Sequence, residues 1–356
     1  MGRPPKEFRT LAKRFVCVRV TDMRGIDLSR YRFDYDLTFS ILLMHPNGHI
    51  YHRFGGRDHT DPLIWISMPS LLSLMTGTLE DHSAYVSAGA KPPNLPPRRG
   101  VEDFRSYKTW IKGRPKIECI HCHQIGEHEV GSGELDGTWT GKDIWRYPSP
   151  AKIGLRLDPA DQSKVKSVDV GSPAAAGGLE PGDRLERIIR HHVRSVNDVQ
   201  AALHEAPGGR TTIPVRFRRD GKEQQARLTL PDGWKVGDAL TFSWRPLKWP
   251  MRPGPGFGGK DLTAQEKKNL GLDPDGFAFR ITYLVTWGRN AHVGRNAARA
   301  GLRNGDIVYS VAGKIDFHDQ SHFHSWFRLN VKAGQVVKFE TLRGKRRRAI
   351  EMKAIK

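Results

Sequence analysis

An internal repeat constrains this fold more than any other feature of the chain. Gly171-Ser-Pro-Ala-Ala-Ala-Gly-Gly-Leu-Glu-Pro-Gly-Asp183 is echoed by Arg295-Asn-Ala-Ala-Arg-Ala-Gly-Leu-Arg-Asn-Gly-Asp306. Gly178 and Gly301 stand 123 residues apart, which fits one small domain and a linker per copy. After each echo the pattern runs strand, short turn, helix, strand, basic turn, strand. The helix of the first copy is predicted over Val196 to Ala206. In the second, Phe323, Trp326 and Phe327 form the equivalent apolar stripe. Gly182 and Gly305 read as turn glycines.

Composition sets the remaining bounds. At 356 residues, with 38% hydrophobic and 27% charged side chains, the chain has room for two or three soluble domains, each with its own core. Three cysteines exclude a disulfide-built scaffold. The longest uncharged run, Pro62 to Leu79, is too polar to span a bilayer. Met1-Gly-Arg-Pro-Pro-Lys-Glu-Phe8 has no apolar stretch of the secretory kind. The net charge is +20, and the excess sits in the last third, ending in Arg343-Gly-Lys-Arg-Arg-Arg348. Such a run can attract nucleic acid or an anionic membrane. Without aromatic stacking residues around it, nucleic-acid binding ranks last, and a solvated β-hairpin is the simpler reading.

Residues 1–90 have a different character. Phe8, Leu11 and Phe15 mark one face of a helix, and Phe15-Val-Cys-Val-Arg-Val20 alternates as a strand with Cys17 buried inside it. Thr38 to Leu43 turns at Pro46-Asn47-Gly48 into Ile50-Tyr-His-Arg-Phe54, a hairpin signal. A helix is predicted from Pro69 to Leu79. That order resembles the later part of a thioredoxin fold, truncated at its N-terminus. The resemblance implies an α/β segment without redox activity, since no Cys-x-x-Cys precedes Cys17. A fold shortened in this way implies a covered sheet edge, or a start codon upstream of the recorded one. The second case places the protein in the periplasm or envelope; if the recorded start is real, it is cytoplasmic.

Residues 91–149 read as a proline-rich linker carrying Cys119-Ile-His-Cys-His123. Three chemistries fit that spelling. Cys-x-x-Cys-His is the attachment signature of covalent haem c, with Cys119 and Cys122 as thioether donors and His123 as axial ligand. Trp110, Trp139 and Trp145 would shield the ring, and Met251 or His128 would be the sixth ligand. Cys119 and Cys122 could instead hold zinc with His121, His123 or His128, though a second half-site is missing. The third chemistry is a redox or structural cysteine pair that carries no cofactor.

The repeats carry the clearest resemblance. Ser-Pro-Ala-x-x-x-Gly-Leu-x-Pro-Gly-Asp looks like the signature of PDZ domains in the arrangement found in HtrA/Deg-type envelope proteases. The resemblance implies PDZ-like β-sandwich or barrel domains with flanking helices over 150–235 and 255–356, joined by a Pro/Trp-rich linker over 236–254. It also implies a peptide-binding loop at Ile153, Gly154 and Leu155, with Leu157 on the strand that follows. The opposite wall would be Val199 and Leu203, which could equally pack in the core. The loop counterpart in the second copy reads as Phe257-Gly258-Gly259, and Thr263 with Glu266 spells a capping box. His318, His322 and His324 read as surface residues.

No G-x-S-x-G and no serine, histidine and aspartate arrangement like the HtrA catalytic domain accompanies the repeats. The expectation is therefore a multidomain protein, α/β followed by mainly-β, that resembles modular bacterial envelope proteins. It would act as a non-enzymatic adaptor capturing protein C-termini or extended peptides. The alternatives are c-type electron transfer with a redox partner, and a metal-binding scaffold.

Overall fold

The computed structural model describes residues 4–112 and 119–356; residues 113–118, within the expected linker, lie outside the described residues. The protein divides into two compact units, Met1–Val236 and Gly237–Lys356.

The first unit begins with α1 (Lys6–Ala12) and the antiparallel hairpin β1 (Ser40–Met44) and β2 (Ile50–Gly55). Asn47 shapes the turn, its side-chain oxygen accepting from His49 N–H at 3.0 Å. α2 (Met68–Ser87) starts where Ser67 caps it by accepting from Ser70 N–H, with Pro69 in the first turn. Leu71, Leu74 and Met75 then fall on one face and close a cluster with Leu43 and Phe54 of the hairpin and Phe8 and Leu11 of α1. Each such leucine, fully buried, stabilises the unit by about 2 kcal/mol.

The strand expected at Phe15–Val20 is absent. That stretch pairs with no strand among the described residues, and Val16 and Val18 are 94% and 79% exposed. Cys17 is exposed as well, not buried. Alternation alone does not make a strand, because the backbone groups also need a hydrogen-bonded neighbour. Here, among the described residues, β1 and β2 pair only with each other. The order implied by the thioredoxin resemblance therefore lacks its first strand.

α3 (Arg105–Ile111) and α4 (Cys122–Asp136) pack together around Val101, Phe104, Tyr107, Ile120 and Ile125. Gly137, at φ 68°, ends α4 in a left-handed conformation that glycine adopts without cost.

The rest of the first unit is β3 (Leu155–Leu157), β4 (Val165–Val168), α5 (Pro173–Ala176), β5 (Arg184–Ile188), β6 (His191–His192), α6 (Val196–Glu205), β7 (Thr211–Arg219) and β8 (Lys222–Leu230). The sheet β6-β5-β7-β8 meets the pair β3-β4 through a bridge from Lys164 to Arg184. One apolar core, including Leu155, Leu185, Val199, Leu203, Val215 and Trp234, fills this half.

The second unit holds α7 (Ala239–Phe242), β9 (Phe257–Asp261), α8 (Ala264–Asn269), β10 (Phe279–Leu284), α9 (Ala291–Ala300), β11 (Ile307–Val311), α10 (Gln320–Asn330), β12 (Val336–Arg343) and β13 (Arg346–Lys353). Its sheet runs β13-β12-β11-β10-β9 over a phenylalanine-rich core. The Thr263–Glu266 capping box is present. The basic run 343–348 forms the turn and flanks of the β12–β13 hairpin.

The two halves share bonds as well as order. Arg219 Nε meets Asp183 at 2.7 Å and its Nη2 donates to Gly178 O; Arg343 Nε meets Asp306 at 2.7 Å and its Nη2 donates to Gly301 O. Asp183 also accepts from Glu180 N–H, as Asp306 does from Arg303 N–H. These two buried aspartates explain why the Gly-Asp pair recurs in the sequence. Each ties its turn to the end of a distant strand.

Candidate functional site

The site is built around β3. Gly154 stands at φ 80°, and a Cβ there would lie 2.1 Å from Ser172 Cβ, so the turn before β3 requires glycine. Gly154 O accepts from Asp169 N–H at 2.9 Å, Arg156 faces Ser167, and Asp158 N–H donates to Lys164 O at 3.0 Å. In an antiparallel ladder, backbone groups alternate between the two edges of a strand. Residues 154, 156 and 158 therefore turn their backbone groups to β4. Leu155 and Leu157 turn theirs to the opposite edge, where β3 has no neighbouring strand among the described residues.

The helical wall is α6. It starts at Ser195, whose Oγ accepts from Asp198 N–H, and Val196 N–H donates to Gln162 Oε1 at 3.1 Å. Val199 and Leu203 lie in the core with Ile153, Leu155 and Leu157 and show no exposed surface. The fold thus gathers the residues singled out from the sequence, with their side chains turned inward. What faces outward from β3 is backbone. Part of the turn is also in use internally, since Lys152 N–H donates to Ser149 O and Gly154 N–H to Ala151 O, at 2.9 and 3.0 Å.

The segment after β8 closes over the end of this site. Trp234 Nε1 donates to Pro207 O, Lys235 Nζ to His204 O, and Lys152 Nζ to Val236 O, at 2.8, 2.7 and 2.8 Å. These three bonds join the C-terminal end of α6 to the turn before β3.

The outer face of α6 is covered too, which the sequence reading missed. Asp198 is fully buried and accepts from Arg53 N–H at 2.9 Å and Arg194 N–H at 3.1 Å. His52 sits between Asp198, 2.8 Å from Nδ1, and Asp81, 2.7 Å from Nε2. Burial disfavours the imidazolium, but the two carboxylates outweigh it and raise His52 to about 9. Arg194 pairs with Asp81 in turn. Tyr147 stacks on His204 at 4.2 Å. A cleft of about 510 Å³ lies beside the helix end, lined by Arg32, Arg190, Glu205 and Pro207 among others. Burial opposes the Glu205 charge, but hydrogen bonds from His191 and Arg190 hold the carboxyl at about 2. One signal for this second face was available: β2 places a histidine among inward-facing residues.

In the second unit the loop assignment shifts by two residues. Val285 N–H donates to Gly256 O at 2.8 Å, as Asp169 N–H does to Gly154 O, and Gly256 has φ 80°. The counterpart of Ile153-Gly154-Leu155 is therefore Pro255-Gly256-Phe257, not Phe257-Gly258-Gly259. Phe257 is buried against Phe279, Phe323 and Phe339. Gly258 pairs with Tyr283, and Gly259 lies so close to Arg280 that a Cβ would fall 1.7 Å from its carbonyl oxygen. His318 is exposed, but His324 is buried, contrary to the surface placement expected for it.

Cys119 is exposed and Cys122 opens α4, half-buried against the α3–α4 cluster, where burial pushes its thiol up. His123 is exposed in the next turn position. His128 is buried, its Nδ1 3.3 Å from Ser106 Oγ, and it packs edge-on against Tyr107 and Trp110. Among the described residues, no three His, Cys, Asp or Glu side chains converge as metal ligands. Among those residues, too, no helix is long and apolar enough to cross a membrane.

Residues 164–216, from the start of β4 into β7, match the family described as PDZ domain. This protein holds a PDZ domain. Similar curated proteins include the mitochondrial serine protease HTRA2 of Drosophila persimilis, 37% identical over 68 residues. Another is the putative zinc metalloprotease SA1105 of Staphylococcus aureus strain N315, 36% identical over 67 residues. Each match covers 19% of this chain and 15% of the relative. Among solved structures, the serine endoprotease from Yersinia pestis is 30% identical, with 22% of this chain and 27% of that one matched and a TM-score of 0.19. The HtrA-type protease AlgW with decapeptide is 13% identical, with 58% of this chain and 63% of that one matched and a TM-score of 0.26. The β3 edge and its glycine turn lie just before the residues that match the PDZ family, so their role rests on geometry.

Proposed function

We propose that the protein is a non-catalytic adaptor whose PDZ domain captures an extended segment or the C-terminus of another protein by adding it as a strand to β3. The observation that carries this reading is the free edge of β3, with the backbone groups of Leu155 and Leu157 directed away from β4. A bound segment would pair with those groups, and a terminal carboxylate would lie at the Gly154 turn near Leu155 N–H. Because Val199 and Leu203 are enclosed, selectivity for side chains would be modest and main-chain pairing would supply most of the affinity. The protease activities of the relatives are not carried over, since the similarity covers the PDZ region alone. We read residues 255–356 as a second PDZ-like copy, on the shared order of elements and the paired Arg219–Asp183 and Arg343–Asp306 bonds.

Hydrogen exchange on the full-length protein tests the strand-addition model. A peptide with an apolar last residue and a free carboxylate should bind in the micromolar range. It should slow exchange at the Leu155 and Leu157 amides, while Arg156, already bonded within the ladder, changes little. Amidating the peptide terminus should abolish binding if the turn reads the carboxylate. Unchanged exchange at Leu155 and Leu157 under saturating peptide would sink the model.

A second reading, covalent haem c at Cys119, Cys122 and His123, is favoured by one observation. All three lie at the entry to a single helix, with Cys119 and His123 open to solvent. In that case Cys119 and Cys122 would anchor the group, His123 would ligate iron, and the haem would supply one-electron transfer to a redox partner. Expression in a host with c-haem maturation, followed by haem staining of a denaturing gel, separates the two readings. A colourless band with stoichiometric zinc would support a metal scaffold instead.

A further inference from the structure

We propose that the second unit docks on an anionic phospholipid surface through an arginine face shared by α9 and the β12–β13 hairpin. The inference goes beyond the adaptor reading, because it concerns another unit and another chemistry, and it stands even if β3 binds nothing.

The basic run 343–348 looks uniform in the sequence, but the fold divides it. Arg343 is committed to Asp306 and to Gly301 O. Side chains alternate between the two faces of a strand. Ile350 and Met352 of β13 enter the core with Ala297 of α9, so Arg346 and Arg348 lie on that same face of the sheet. Arg347 turns to the other face, where its Cζ lies 5.4 Å from the centre of the Tyr309 ring. Glu351 shares the Arg347 face, as does Glu340, which stands opposite Ala349. The face toward α9 is thereby left with the arginines and without those two acids.

α9 adds cations from another part of the chain. Its buried side is Val293, Gly294 and Ala297, and Asn296 Nδ2 donates to Lys353 O at 2.9 Å, which lays the helix beside β13. The bond from Arg343 Nη2 to Gly301 O, at 2.7 Å, fixes the C-terminal end of α9 beside the hairpin turn. Arg299 and Arg303 therefore come to the Arg346 end of this face, with Arg295 one helical turn back. Arg295, Arg299, Arg303, Arg346 and Arg348 are all exposed. Among the described residues none of them forms an ion pair. Charges of one sign gathered without counter-ions attract anions, and the guanidinium fork matches phosphate oxygens.

Two observations favour a bilayer over nucleic acid. No Phe, Tyr or Trp is interleaved with these arginines on α9 or β13, as stacking on single strands requires, and α9 is packed along β13 instead of free to enter a groove. Tyr283 and Trp287 stand instead just before α9, 37% and 57% exposed with rings 5.6 Å apart. Such rings, apolar at one end and polar at the other, suit the headgroup level of a membrane.

Co-sedimentation of the full-length protein with vesicles tests the proposal. Vesicles of phosphatidylcholine mixed with phosphatidylglycerol should bind, pure phosphatidylcholine should not, and added salt should weaken binding. Arg346→Gln combined with Arg348→Gln should weaken binding about thirtyfold, at about fivefold per charge removed. Arg295→Gln combined with Arg299→Gln, on the other element, should do the same. Arg347→Gln, in the same run but on the opposite face, should change affinity by no more than about twofold. Because the substituted side chains are exposed and unpaired, both double variants should melt with the wild type. The inference is overturned if pure phosphatidylcholine binds equally well, if the mixed vesicles do not bind, or if either double variant retains full affinity. It is also overturned if an oligonucleotide, single-stranded or duplex, binds more tightly than the mixed vesicles at the same salt.

Discussion

The imidazole of His52 and the carboxylate of Asp198 meet at 2.8 Å in a buried contact that joins the N-terminal hairpin to the PDZ helix α6. His52 is raised from 6.5 to about 9 in the folded protein. A raised histidine contributes stability that is complete below its unfolded pKa and is lost as pH rises through the folded value. The first unit should therefore lose thermal stability between pH 6.5 and about 9. His52→Gln should flatten that part of the profile. Parallel wild-type and variant profiles across this window would remove His52 as the cause.

Removing the carboxylate should be costlier than removing the imidazole. Asp198 also accepts from Arg53, Arg194 and Ser195 N–H groups. Asp198→Ala would leave those donors and a buried histidine without their partner, a loss of about 3–5 kcal/mol in denaturant unfolding. Asp198→Asn, which retains one acceptor oxygen, should cost less. Equal losses in the two variants would mean that the retained acceptor oxygen contributes nothing.

The two repeats offer a matched comparison. Arg219→Met and Arg343→Met each strip a fully buried aspartate of its guanidinium. Each should lower the stability of its own unit by about 2–3 kcal/mol, short of the value for a wholly buried pair because both arginines are partly exposed. Limited proteolysis would locate the weakened unit, and cleavage moving to the same unit in both variants would contradict the assignment.

The thiols should separate by exposure. Cys17 and Cys119 are open to solvent, while burial raises the Cys122 thiol. Near neutral pH, maleimide should label Cys17 and Cys119 before Cys122. Mass spectrometry of partially labelled protein would show the order, and early labelling of Cys122 would place it outside the α3–α4 cluster.

Much of the PDZ framework was legible in the sequence because its turns demand particular residues. The Gly-Asp pairs mark strands that recur with the same bonds, and Asn47-Gly48 announces the hairpin. What failed depended on partners that are remote in sequence. Phe15–Val20 alternates as a strand should, yet no edge receives it. The glycines after Phe257 suggested a loop, but hydrogen bonding fixes the turn at Gly256. In α6, Asn197, Asp198 and Gln200 are polar and yet buried. Contacts with His52 and Arg53 of the hairpin, more than a hundred residues upstream, cover Asp198.

That double burial of α6 has a practical meaning for anyone dissecting the protein. A fragment cut at residue 150 would carry the full PDZ match and yet lose His52 and Tyr147, stripping Asp198 and His204 of those neighbours. The smallest portion of the first unit expected to behave as it does in the intact protein runs from α1 through Val236. If α6 walls the proposed peptide site, it is a shared beam, and a lesion in the hairpin should register as a change in peptide affinity.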